Sequence, residues 1–212
     1  MFEKEKAQVL ETALALKEYR LIALSGGNVS YRVDRNNILV TPSGMDYTHM
    51  TPGDICIVDP QGNLVEGERR ISVDTEALLY IFEHMPDIGA IIHTHQVYAT
   101  AVGVTEDVLP SVVTTLPNAA LGNVNVAPYS SAASLMMGIE VVNHLGGKRA
   151  VILKNHGVVT VGASLKEALY AAVYLEDAAK TYILAKSIGV PAILNDEQIQ
   201  RAVEVFSDYG QK

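Results

Sequence analysis

The chain predicts an α/β fold in which a mixed β-sheet carries helices on both faces. Segments with apolar residues at helical spacing alternate with short, β-prone apolar runs. Several neighbouring runs are joined by brief links rich in turn residues, so hairpins must be present and the sheet is not purely parallel. In addition, 212 residues with no internal repeat and no linker rich in Pro, Gly or Ser suit a single domain spanning 1–212 around one sizeable core.

The elements follow in order. Val9, Leu10, Ala13, Leu14 and Leu16 predict a helix from residue 3 to about residue 20. Residues 28–33 and 37–41 read as a hairpin around Asp34-Arg-Asn-Asn37, and 55–58 with 64–65 as another around Pro60-Gln-Gly-Asn63. Leu78, Leu79 and Phe82 mark a helix over 75–84, which Pro86 ends. Residues 90–93 are a short buried strand, followed by a helix through Val102. Residues 112–115 and 123–126 read as strands or extended loop. Ser130 and Ser131 are the expected caps of a helix running to Leu145, stopped by Gly146-Gly147. Strands at 150–153 and 158–161 flank Lys154-Asn-His-Gly157. Ser164-Leu-Lys-Glu167 is a capping box that opens a long helix to about residue 188, ended by Gly189 and Pro191.

Composition narrows the partners. Apolar residues make up 49 % and charged residues 19 %, which excludes a disordered chain. No run approaches the roughly 18–20 apolar residues needed to span a bilayer. The opening Met1-Phe-Glu-Lys-Glu-Lys6 lacks the apolar run of a secretory signal. A lone cysteine, Cys56, cannot form an internal disulfide, so a reducing cytoplasm is the expected setting. The 16 basic residues against 24 acidic ones leave a net charge of −8 with no basic stripe, which argues against nucleic acid. A small molecule is the expected partner, and an anionic one would have to be met by local donors or a metal.

Six histidines are present, and three of them fall at strand ends. His93 and His95 form His-Thr-His after the apolar run Ala90-Ile-Ile92, so both imidazoles point to one face of an extended chain. His156 follows a second apolar strand. Three imidazoles with a nearby carboxylate make a zinc-like donor set that leaves room for a substrate, and one cysteine is too few for a thiolate-rich structural site. His49, His84 and His144 read as ordinary histidines at turns and helix ends.

Two loops suit an anion. Ser25-Gly-Gly-Asn28 precedes one strand of the first hairpin and Thr41-Pro-Ser-Gly44 follows the other, and such loops can ring a phosphate with backbone N–H groups and hydroxyls. Neither runs from strand into helix, so neither is a P-loop or a dinucleotide fingerprint.

Taken together, Ser25-Gly-Gly-Asn-Val-Ser30, Val40-Thr-Pro-Ser-Gly44, Ser72-Val-Asp-Thr75, Ile92-His-Thr-His95, Ala127-Pro-Tyr129, Lys154-Asn-His-Gly157 and Asp208-Tyr-Gly210 resemble the class II aldolase/epimerase family. The family holds fuculose-phosphate aldolases and ribulose-phosphate 4-epimerases. The resemblance implies a three-layer α/β/α sandwich with a mixed, largely antiparallel central sheet, assembled as a homotetramer with active sites between subunits. It implies that His93, His95 and His156 hold one divalent metal ion, most often zinc, with Asp74 as an acid/base that can also ligate the vacant metal. Ser25, Gly27, Asn28, Ser43, Gly44, Ser72 and the Val73 backbone would bind the substrate phosphate, and Tyr209 would reach a neighbouring subunit's site.

The implied reaction is retro-aldol cleavage of a ketose 1-phosphate, such as L-fuculose 1-phosphate, to dihydroxyacetone phosphate and an aldehyde such as L-lactaldehyde. A metal would act as Lewis acid where other aldolases use a Schiff-base lysine. Asp74 replaces the aldolases' glutamate and is one methylene shorter. Thr114 aligns with the aldolases' interface tyrosine, and Asn118 with the epimerases' interface acid. The closing Phe206-Ser-Asp-Tyr-Gly210 tilts the reading to the aldolase, with 4-epimerisation of a pentulose 5-phosphate as the alternative. A third enzymatic possibility is a related deoxy- or methylthio-ribulose 1-phosphate. The alternative outside enzymes is an adducin-head-like binding subunit; such heads typically lose the metal ligands, which this sequence retains.

Overall fold

Residues 1–207 are described in the computed structural model of the chain, the side chains of residues 206 and 207 excepted. Helix α1 (Glu3–Glu18) buries Val9, Ala13 and Leu16, whereas Leu14 is exposed. Strands β1 (Gly27–Arg32) and β2 (Ile38–Val40) form the first hairpin. Its turn is closed by the Asp34 carboxylate, which accepts from the Asn36 N–H at 2.7 Å and from the Asn37 side chain at 3.0 Å. The second hairpin, β3 (Cys56–Val58) and β4 (Leu64–Glu66), repeats the device with Asp59 accepting from the N–H groups of Gln61 and Asn63.

Helix α2 (Thr75–His84) stops where expected, and the Arg32 guanidinium collects its last carbonyls together with those just beyond, donating to Phe82, Met85, Pro86 and Ile88. Strand β5 (Ala90–Thr94) is buried at every position, and α3 (Val97–Thr105) follows it after two residues. The next stretch departs from expectation. Residues 112–114 are loop rather than strand and lead into a short helix that was not expected, α4 (Thr115–Ala120), whereas the extended segment expected at 123–126 is β7 (Val124–Ala127), paired with a two-residue strand β6 (Val108–Leu109). Val-Val-Thr-Thr has β propensity, but burial of Leu116 and Ala120 in the adjoining core decides the conformation. Pro117 is tolerated because it sits in the first turn.

Helix α5 is Leu135–Leu145, capped by position at Ser134, so Ser130 and Ser131 are not its caps; they belong to a loop that approaches α2. Strands β8 (Ala150–Leu153) and β9 (Gly157–Gly162) precede α6 (Leu165–Ile188), whose Ser164 cap accepts from the Glu167 N–H as the capping box predicts. Here the Glu167 carboxylate accepts from the N–H of Ala163, one residue earlier than the usual partner, at 2.9 Å. A helix that was not expected, α7 (Asp196–Ser207), packs on α4.

The strands form one sheet in the order β4-β3-β2-β1-β5-β9-β8-β7-β6. Every pairing is antiparallel except β7–β8, so the sheet is mixed and largely antiparallel. Helices α2 and α5 cover one face through Leu78, Ile81, Met137 and Val141, packed on Ile91, Val151 and Val159. Helices α1 and α6 cover the other through Leu16, Ala168 and Ala172, and α3 and α4 extend that layer. This is the three-layer α/β/α sandwich. Among the described residues no helix is long and apolar enough to cross a membrane.

Candidate active site

His93 and His95 stand at the end of β5, and β9, which pairs with β5, begins directly after His156. Three local features deliver the rings. The β8–β9 link is a tight turn in which the His156 N–H donates to the Leu153 carbonyl at 3.1 Å, with Asn155 left-handed at φ 58°. Gly157 lets β9 approach β5 closely: a Cβ there would overlap the Thr94 carbonyl oxygen and lie 2.8 Å from His95 Cδ2. Gly27, at φ 132°, lets β1 come equally close on the other side, where a Cβ would lie 2.6 Å from the His93 carbonyl oxygen.

The three rings converge. Their centroids are 4.8, 4.9 and 5.4 Å apart, and their donor atoms all lie within 4.8 Å of one another. The Nδ1 of His93 donates to the Val158 carbonyl at 2.9 Å, which leaves the lone pair on Nε2. That Nε2 is 3.1 Å from Nε2 of His95. Two imidazole nitrogens sharing a tetrahedral ion at about 2.0–2.1 Å stand about 3.3 Å apart, so the spacing suits a metal. His156 Nδ1 is buried without a hydrogen-bond partner, an arrangement that a ligated ion would satisfy. Burial lowers the pKa of all three imidazoles, opposed in each by the charge of Asp74. They are therefore held neutral, the form that binds a metal.

Asp74 lies beside this cluster and outside its closest donor group. It precedes α2 in the capping position but makes no capping hydrogen bond. Its carboxylate instead accepts from Asn28 Nδ2 at 2.8 Å and from the Ala133 N–H at 3.1 Å. Asn28 is 1 % exposed and directly opposite His93 in the β1–β5 register, which places its amide and the imidazole on one face. Orienting Nδ2 toward Asp74 leaves Asn28 Oδ1 buried and unpaired.

The expected anion loops are neighbours. Thr41 exchanges two hydrogen bonds with Val29, through its N–H and its hydroxyl, each at 3.1 Å. Pro42 bridges to Ile71, and the Ser43 N–H donates to the Arg70 carbonyl, so residues 41–44 lie alongside 70–73. Ser25, Gly27 and Ser43 are half-buried, Gly44 and Val73 are exposed, and the buried Ser72 hydroxyl accepts from the Asp74 N–H. Thr114 is exposed at the head of α4, and Asn118 Oδ1 is buried without a partner. Tyr209 lies outside the described residues.

Two residues escaped the sequence reading. Gln96 is fully buried and donates to the Ala172 carbonyl of α6, and Glu176 of α6 accepts from the N–H groups at the head of α3. Neither carries a local signal, because each acts across the fold. The Asn28–Asp74 contact was equally hidden.

A mixed-sheet α/β/α sandwich with three neutral imidazoles meeting at strand ends defines a metalloenzyme scaffold. The chain belongs to a specific family of that kind: the sequence model of the Class II Aldolase and Adducin N-terminal domain matches residues 7–183. It is similar to the 5-deoxy-D-ribulose 1-phosphate aldolase of Bacillus thuringiensis serovar kurstaki, 29 % identical over 213 residues and covering 100 % of both chains. An L-fuculose phosphate aldolase of Escherichia coli is 28 % identical over 204 residues, which is 96 % of this chain and 94 % of the relative. Among solved structures, an L-fuculose 1-phosphate aldolase superposes with a TM-score of 0.89 at 33 % identity, covering 95 % of each chain. The chain is thus an enzyme of the metal-dependent, class II aldolase type.

Proposed function

We propose that this enzyme reversibly cleaves a ketose 1-phosphate, L-fuculose 1-phosphate or a close analogue such as 5-deoxyribulose 1-phosphate, to dihydroxyacetone phosphate and a small aldehyde such as L-lactaldehyde. The observation that carries the reading is the meeting of His93, His95 and His156 beside a carboxylate that the protein holds from two directions. The names of the similar proteins support the substrate class.

His93, His95 and His156 would hold one divalent ion, zinc by the chemistry of three imidazoles with an open position. When bound, that ion supplies Lewis acidity toward the substrate's oxygens as the C–C bond breaks. Asp74 takes and returns the proton at the substrate carbon, and Asn28 and the Ala133 N–H keep its carboxylate aimed. Ser25, Gly27, Asn28, Ser43, Gly44, Ser72 and the Val73 backbone receive the phosphate, whose binding energy positions the reacting bond. Asn28 can serve both groups, since its amide nitrogen carries two hydrogens. The chain works as one domain in a cytoplasmic homotetramer, with Tyr209 reaching a neighbour's site.

The test is product analysis with L-fuculose 1-phosphate and 5-deoxyribulose 1-phosphate, with and without chelator. Dihydroxyacetone phosphate should appear from at least one, vanish after chelation and return with zinc. Isomerised pentulose phosphate from L-ribulose 5-phosphate, with no triose phosphate from any ketose 1-phosphate, would replace this reading with the 4-epimerase. That alternative rests on Asp74 within Ser-Val-Asp-Thr, and it lacks an acid at Asn118.

A further inference from the structure

His95 is the least enclosed member of the donor set. It lies one residue beyond β5 and is exposed, where His93 is buried within the strand. Besides the close approach of Gly26 and Gly157 to its ring, its placement draws on what holds its chain neighbours. On one side, Thr94 is buried and its hydroxyl donates to Gln96 Oε1 at 2.8 Å. On the other, Gln96 is 0 % exposed and its Nε2 donates to the Ala172 carbonyl at 3.2 Å. Gln96 occupies the cap position of α3, yet its side chain does not cap that helix.

The cap is supplied in trans. The two carboxylate oxygens of Glu176 accept the N–H groups of Tyr98 and Ala99, each at 2.9 Å. An anion at a helix N-terminus also meets the positive end of the helix dipole. Ala172 and Glu176 are four residues apart, one turn along the same face of α6. The segment bearing His95 is therefore gripped on its C-terminal side by two points of a single helix that contributes no residue to the donor group.

We infer that Glu176, with Gln96, is a positioning residue that sets His95 at the metal centre through α3 and α6. The inference rests on the metal reading proposed above. It separates the bracket from ordinary packing, because packing contributes to stability wherever it occurs, while a bracket controls the distance between one imidazole and its two companions.

The experiment is cobalt(II) titration of the metal-stripped full-length protein against a competing chelator, reading affinity and the visible absorption band, with thermal melting of each metal-free variant. Glu176→Gln replaces one acceptor oxygen by an N–H₂ that faces an N–H donor. It should weaken cobalt affinity at least tenfold and shift the absorption band. Thr160→Val removes a different buried hydrogen bond to α6, at the Ala168 carbonyl, and should lower the melting temperature with affinity and band unchanged. Gln96→Met tests the second grip and decides the matter if Glu176→Gln does not fold; it too should weaken binding at least tenfold. Unaltered affinity and spectrum in the folded variants would overturn the inference while leaving the metal reading intact. Wild-type protein that takes up no cobalt would overturn both.

Discussion

Asp74 occupies a position where an aspartate ordinarily caps a helix, and the fold gives it other partners. A cap contributes roughly 1 kcal/mol, whereas loss of an acid/base group slows a reaction by about 10²- to 10⁴-fold, so the two roles separate in kinetics. Asp74→Asn keeps the shape and loses one acceptor; kcat should fall by about 10²- to 10⁴-fold while stability drops by only about 1 kcal/mol, measured by steady-state assay and thermal melting. A rate within twofold of wild type would remove Asp74 from the chemistry. The three imidazoles were legible as candidates from His-Thr-His and from a histidine after a second apolar run. The partners of Asp74 were not, since Asn28 and Ala133 lie 46 and 59 residues away along the chain.

The β8–β9 hairpin shows how an element spends conformational strain on a site. Asn155 is left-handed, and asparagine tolerates that region better than most residues. Leu24 and Ala133, also left-handed, lie beside the glycine loop and against Asp74 respectively. The other left-handed residues, Phe2, Arg20 and Leu121, lie at helix ends, where that conformation starts or stops a helix. Gly157 is the sharper case: in Gly157→Ala the methyl would overlap the Thr94 carbonyl oxygen and lie 2.8 Å from His95 Cδ2, so both the backbone and the ring must shift. The substitution should cost about 1–3 kcal/mol in the metal-free protein and weaken metal binding, read by melting and by cobalt titration. Unchanged metal affinity would show that the ring adjusts freely.

At the same scale, the elements missed have different causes. Helix α7 did carry a signature: the Asn195 side chain accepts from the Gln198 N–H and Gln198 returns the bond to the Asn195 N–H, each at 2.9 Å. That is a capping box with asparagine in place of serine or threonine, readable from Asn195-Asp-Glu-Gln198. The helix at 115–120 could not be read this way, because its β-branched entry favours a strand until the core around Leu116 is assembled.

Across the whole molecule, the cluster couples stability to pH. In the unfolded chain each histidine takes up a proton as the pH falls below about 6.5, while in the native state burial lowers the pKa of all three imidazoles, that of the enclosed His93 to about 4. The unfolded state then binds more protons, so stability is fully present above about 6.5 and declines below it. The metal-free melting temperature should fall progressively under acid, and zinc should raise it most above that range, where protons do not compete. Scanning from about pH 8 to pH 5 checks both, and an acid limb that persists unchanged in His156→Ala would remove His156 from the coupling.

What the amino-acid order determined by itself is local: the hairpin turns at Asp34 and Asp59, the capping box at Ser164, the pairing of His93 with His95 on one strand face, and the strand end before His156. Each follows from spacing over a few residues, where side-chain periodicity and backbone hydrogen bonding leave few options. Tertiary structure decided which strand ends meet, that Asp74 faces Asn28 rather than its own helix, and that Glu176 caps a helix 77 residues away. Those contacts are chosen by how sheet and helices share a core, a competition among distant surfaces that no short window of sequence encodes.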